Sequence, residues 1–181
     1  WNLEGAAESW RAQLDSHYAA QPVFAVVSGM GAGDWQPVHA FCEAEELPCL
    51  FPNTLLPGVD DDAFYSVYFS QGMTLEARVA ARFLHEAGLA SAPVLQVFAQ
   101  EPSARTAADT LRRALPAAPL ELPVSASVTP AESAAWQSLL EQQRPKAVVF
   151  WGSRAQLQTL LSSTAATDGG RPVILASATL A

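Results

Sequence analysis

The sequence predicts an α/β fold of parallel strands with crossover helices on both faces. Three observations predict it. From Gln21 onward, short β-branched runs alternate with helical stretches at a rhythm of about 25 residues, the signature of strand–helix–strand units. The longest apolar runs, Val23 to Val27 and Ala147 to Trp151, have core-strand length. With 181 residues, half of them apolar and only 15% charged, the chain can bury one ordinary core or two small ones, and disorder is excluded.

The elements follow in order. Residues 4 to 20 predict a helix, because Ala6, Trp10, Leu14 and Tyr18 recur on one face. Val23 to Ser28 is the first strand. A glycine-rich turn leads into a helix with Asp34 as N-cap, running through Cys42 to about Glu46. Pro48 to Phe51 is the next strand, whereas Asn53 to Asp62, with two Pro, a Gly and three consecutive Asp, predicts a loop. Tyr65 to Phe69 is a short strand, and Gly72 marks a turn before a helix over Leu75 to Glu86. In the second half, Pro93 to Ala99 is a strand, and Pro102 stands in the first turn of a helix over Ala104 to Leu115. Leu120 to Val124 contains Pro123 and belongs at a sheet edge. Thr129-Pro130-Ala131-Glu132 is a capping box that opens a helix to about Gln143. Strand Ala147 to Trp151, helix Ser153 to Ser162 and strand Pro172 to Ala176 complete seven strands and six helices.

The net charge of −8 is uneven: residues 1–70 hold ten acidic side chains against Arg11 alone, while residues 71–181 hold eight acidic and nine basic ones. This break divides the chain into a first unit, 1–70, and a second, 71–181. An acidic chain without a basic stripe is a poor partner for nucleic acid or an anionic membrane. No apolar run approaches the roughly 20 residues that span a bilayer.

The stretch Ser28-Gly29-Met30-Gly31-Ala32-Gly33-Asp34 follows a strand and precedes a helix, where a dinucleotide fold would carry G-x-G-x-x-G. Read from Gly29, the third glycine position falls on Asp34, whose carboxylate repels phosphate, and no P-loop lysine follows. A small-molecule crevice at the carboxyl ends of parallel strands, lined by Ser28, free amides and Asp34 or Trp35, fits better. Cys42 and Cys49, with His39 one turn before Cys42, lack the fourth ligand of a zinc site; they are either a disulfide or two buried thiols. No metal is expected. Neither a G-x-S-x-G elbow nor a titratable pair supports catalysis, so no catalytic residue and no cofactor is assigned. His17, His39 and His85 fall within helices, with His39 expected toward solvent, and Asp60-Asp61-Asp62 lacks the spaced ligands of a calcium loop. Trp10 and Trp136 lie on helix faces as core residues, which leaves Trp35 as the tryptophan at a site.

Phe24 to Pro57, reading FAVVSGMGAGDWQPVHAFCEAEELPCLFPNTLLP, resembles the type I periplasmic solute-binding proteins, the branched-chain amino-acid and amide receptors of ABC transporters. Tyr65 to Leu84, YSVYFSQGMTLEARVAARFL, resembles that family's first crossover, with Ser70-Gln71-Gly72 as the hinge. The resemblance implies a non-enzymatic, periplasmic or extracellular receptor that captures a small polar ligand between two lobes and delivers it to a transporter membrane subunit. It places Ser28, Gly29, Gly33 and Asp34 in the first ligand-lining loop, Asn53 and Thr54 in the second, and Gln100, Glu101 and Ser103 in the opposing lobe. Asp34 stands where the family often has Ser or Thr, and an acid there disfavours an amino-acid carboxylate. The family's earlier βαβ portion is expected to be missing, which makes the chain a central fragment whose exposed sheet edge invites a homodimer. The alternatives are a flavodoxin-like enzyme or regulator binding a phosphate-bearing ligand, and an association module without ligand.

Overall fold

The computed structural model describes residues 1–58, 63–162 and 172–177. The chain folds as two compact units, Trp1–Gly72 and Met73–Ala181.

In the first unit, a 3-10 turn Ala7–Ser9 leads into α1 (Trp10–Ala20). A three-stranded parallel sheet follows, in the order β1 (Val26–Val27), β3 (Cys49–Leu50), β5 (Ser66–Val67). Helix α2 (Gln36–Ala44) lies between β1 and β3 in the chain. Leu14 of α1 packs with Val38, Phe41 and Cys42 of α2 and with Leu47 and Cys49, all buried, on one face of the sheet. Along the sheet, Val27 pairs with Leu50 and Leu50 with Val67, and both valines are exposed. A disulfide joins Cys42 of α2 to Cys49 of β3.

Here the structure departs from the sequence-based expectation. The glycine stretch is not a turn but a strand, β2 (Met30–Asp34), and Asn53 does not open a loop: Asn53–Leu56 is β4, paired parallel with β2. Glycine and asparagine are poor strand formers, so neither segment carries a local β signal; each is held by the other's backbone groups. Asp60 to Asp62 lie outside the described residues. Helix α2 begins one residue later than expected, with Trp35 rather than Asp34 as N-cap, and the Asp34 carboxylate accepts the Gln36 N–H at 3.0 Å. His39 does not face solvent but is 2% exposed, its Nδ1 2.9 Å from the Tyr68 hydroxyl.

In the second unit, α3 (Gly72–Glu86) precedes a four-stranded parallel sheet in the order β7-β6-β8-β9. The strands are β6 (Val94–Ala99), β7 (Leu120–Val124), β8 (Ala147–Trp151) and β9 (Val173–Ala176), alternating with α4 (Pro102–Ala114), α5 (Pro130–Gln143) and α6 (Arg154–Ser162). Every residue of β8 is buried, as a central parallel strand requires, and Pro123 sits on the edge strand β7. Leu95, Val97, Val148, Phe150, Trp136 and Leu160 form the core. The Thr129–Glu132 capping box is complete, with Thr129 Oγ1 accepting the Glu132 N–H at 3.2 Å and Glu132 Oε2 accepting the Thr129 N–H at 2.7 Å.

Candidate functional site

The first unit brings its two predicted loops together at the carboxyl end of the β1-β3-β5 sheet. Asn53 donates its N–H to the Gly29 carbonyl at 2.7 Å, and Met30 and Gly31 stand in register with Asn53 and Thr54. Ser28 and Asn53 are exposed, Gly29 and Thr54 half-buried. Farther along, Gly33 lies in β2, and Asp34, exposed, pairs with Leu56. Ser28, at φ 53°, is left-handed, so the strand turns sharply after Val27 before it resumes as β2.

Trp35 is brought to the same place with a different role. Its indole is 5% exposed and lies across Gly29 and Gly31, where a Cβ would meet the ring at 2.7 Å in each case. It stacks edge-on to Trp10 with centroids 6.2 Å apart. The pair forms the floor of an open concavity of about 950 Å³, walled by the Trp1–Ala7 segment on one side and by Val27 to Gly31 on the other. Trp35 is therefore core and floor together.

In the second unit, Gln100, Glu101 and Ser103 stand where β6 passes into α4, with Gln100 and Glu101 exposed. Glu101 is the N-cap of α4 without a side-chain cap bond, and Gln100 Oε1 accepts from Arg105 at 3.4 Å. Strands β6 and β8 part company here: the chain leaves β6 for β7 on one side and β8 for β9 on the other. That is the switch point at which ligands of open α/β sheets bind. The turn Gly152-Ser153 at the end of β8 shares this edge, because Phe98 pairs with Trp151. Sequence reasoning missed it for want of the β6–β8 pairing. Ser153 is spoken for locally: its Oγ accepts the Gln156 N–H at 3.3 Å, while Gln156 Oε1 accepts the Ser153 N–H at 2.7 Å.

At the end of the first unit, Ser70 Oγ accepts the Gly72 N–H at 3.0 Å, and Ser70 and Gln71 are exposed. Gly72 has φ 57°, and a Cβ there would collide with the Leu55 carbonyl. Among the described residues no group of three or more His, Cys, Asp or Glu side chains is placed to hold a metal, and no helix is long and apolar enough to cross a membrane.

No protein-family model matches the chain, and none of the curated proteins does. Solved structures do match. A putative branched-chain amino acid ABC transporter protein from Silicibacter pomeroyi superposes with a TM-score of 0.71 at 13% identity, over 94% of this chain and 46% of its own. A solute-binding protein of an ABC transporter from Rhodopseudomonas palustris, in complex with 3,4-dihydroxybenzoic acid, gives 0.54 at 10% identity over 87% and 44%. An extracellular ligand-binding receptor from Verminephrobacter eiseniae gives 0.52 at 12% identity over 97% and 51%. The chain has the α/β fold of the type I periplasmic binding proteins and spans about half the length of these structures.

Proposed function

We propose that this chain is the ligand-binding part of an extracytoplasmic receptor that serves an ABC-type uptake system. One observation carries the proposal: the Asn53 N–H to Gly29 carbonyl bond sets two polar, partly exposed loop segments side by side at the carboxyl ends of parallel strands. Ser28, Gly29, Gly33, Asp34, Asn53 and Thr54 would supply hydroxyl, amide and carboxylate contacts, and Gln100, Glu101 and Ser103 the contacts from the second unit. Trp35 would act as the floor. Ser70, Gln71 and Gly72 would serve as the hinge, since the boundary between the compact units falls at Gly72. The role is binding rather than catalysis, as it is for the proteins with similar structures.

The Cys42–Cys49 disulfide supports a periplasmic or extracellular location, because such bonds persist in oxidising compartments. The exposed Val27 and Val67 on the outer strands of the β1-β3-β5 sheet support a homodimer paired there, which light scattering of the purified chain would detect as twice the monomer mass. A transporter membrane subunit is the partner this role requires.

The test is a thermal-shift screen of the chain against amino acids, amides and short carboxylates. Ligand at a hundred times its Kd raises stability by about 2.7 kcal/mol, so one responding class fixes the role. No response from any class overturns the proposal.

A further inference from the structure

Phe51 and Phe69 stand at the same carboxyl edge of the first unit. Their rings stack with centroids 4.3 Å apart at an interplanar angle of 20°. Phe51 is 37% exposed and Phe69 82%. Phe51 directly follows β3, and its N–H donates to the Val67 carbonyl at 2.7 Å, which ties it to the end of β5 just before Phe69. Neither ring belongs to the buried cluster of this unit.

The backbone makes Phe51 an expensive place for a ring. Its φ is 57°, a region in which bulky side chains are rare, and it precedes Pro52, whose ring crowds the residue before it. Glycine would adopt the same conformation without strain. Residues held against such preferences cluster at active sites and ligand clamps.

The first unit offers polar groups at this edge. Ser28 and Asn53 offer a hydroxyl and a carboxamide at this edge, both exposed. Arg11, the sole basic residue among the first 70, is engaged by Asp15 at 2.9 Å and Glu45 at 3.3 Å. Aromatic faces accept a second ring, and they attract positive rather than negative charge.

We propose that Phe51 and Phe69 form an aromatic platform for the planar ring of a small ligand with a neutral or cationic head group. The inference rests on the receptor role above and narrows its ligand class.

Calorimetric titration of the full chain with benzylamine, benzyl alcohol, benzoate and L-leucine tests it, using the wild type, Phe69→Ala and Phe51→Gly. Benzylamine and benzyl alcohol should bind the wild type, and each variant should weaken them at least tenfold. Phe51→Gly relieves the strained φ, so it should keep its cooperative unfolding transition while losing the ligand. Leucine binding that survives in both variants, with no heat from the benzyl compounds, overturns the platform and leaves the receptor role standing. Silence from all four probes also overturns the platform, and the broader screen decides the receptor role separately. Benzoate binding as tight as benzylamine overturns the head-group preference. Should Phe69→Ala fail to fold, Phe69→Leu keeps apolar bulk without a ring; tenfold weaker benzylamine binding supports the platform, and unchanged binding overturns it.

Discussion

The Tyr68 hydroxyl stands 2.9 Å from Nδ1 of the buried His39, and the two rings lie nearly parallel with centroids 5.9 Å apart. The Gly58 N–H donates to the same phenolic oxygen, and the Tyr68 hydroxyl and Nδ1 share one hydrogen bond whose direction is set by the imidazole tautomer. A backbone donor and a ring nitrogen thus meet at one phenol. This arrangement satisfies one nitrogen of the buried imidazole, while its Nε2 is buried without a hydrogen-bond partner among the described residues.

Tyr68→Phe should therefore cost about 1–3 kcal/mol at neutral pH, since it strands a buried ring nitrogen. Burial also pushes the Tyr68 hydroxyl up from its ordinary value of 10.0 to about 12. A raised value means that the stability contributed is complete below pH 10 and is lost as pH climbs toward 12. Urea unfolding of wild type and Tyr68→Phe between these limits should show a falling midpoint that the variant flattens.

Gly31→Ala should destabilise the first unit by about 1–3 kcal/mol, because the added Cβ strikes a buried indole that cannot move aside. Gly88→Ala is the contrast: nothing lies within 4 Å of its Cβ, and only the φ of 69° opposes it. Its cost should stay near 1–2 kcal/mol. Differential scanning calorimetry of the two variants separates collision from strain.

Removing the disulfide by paired Cys42→Ala and Cys49→Ala changes should cost about 2–3 kcal/mol, from the entropy of reopening a short loop. Both cysteines are buried, at 0% and 5% exposure. Dithiothreitol should accordingly leave the bond intact under native conditions and cleave it once urea opens the first unit. Thiol labelling across a urea series measures this, and rapid native cleavage would refute it.

Glu132 gives the second unit an acid-sensitive joint. The Thr129 N–H is the largest influence on its carboxyl, and the Ser125 N–H and hydroxyl, each 2.8 Å from Oε1, add to it against a smaller cost of burial. Together they hold the group at about 2, down from 4.5. A lowered value means stability present above pH 4.5 and lost as pH falls toward 2. Glu132→Gln should lose about 1–2 kcal/mol at pH 7 after allowance for solvent screening, and little near pH 2. Unfolding midpoints at both pH values check the sign.

Much of the second unit was legible in the sequence. Ala147 to Trp151 is a continuous apolar run because β8 is covered on both faces, Pro123 marks the edge, and the capping box is a local device that needs no tertiary partner. The first unit was less so. Met30 to Asp34 and Asn53 to Leu56 carry turn residues, and they become strands only because each finds the other some twenty residues away. The burial of His39 depends on Tyr68, 29 residues on. Trp35 was marked by its place at a strand-to-helix junction, yet its burial follows from two glycines that leave room for the ring. The Phe51–Phe69 stack had no local signal at all, since it requires β3 and β5 to be neighbours.

The twin departures at Ser28 and Phe51 have a further consequence. Both residues are left-handed, and Val27 pairs with Leu50 before the break as Met30 pairs with Asn53 after it. Each strand therefore spends the same two residues on its bend. An insertion of one residue in either bend alone would slide β2 against β4 and exchange their faces. In related chains, length changes at these two places should occur as a matched pair or not at all, so the bends would evolve as one unit although 23 residues of chain separate them.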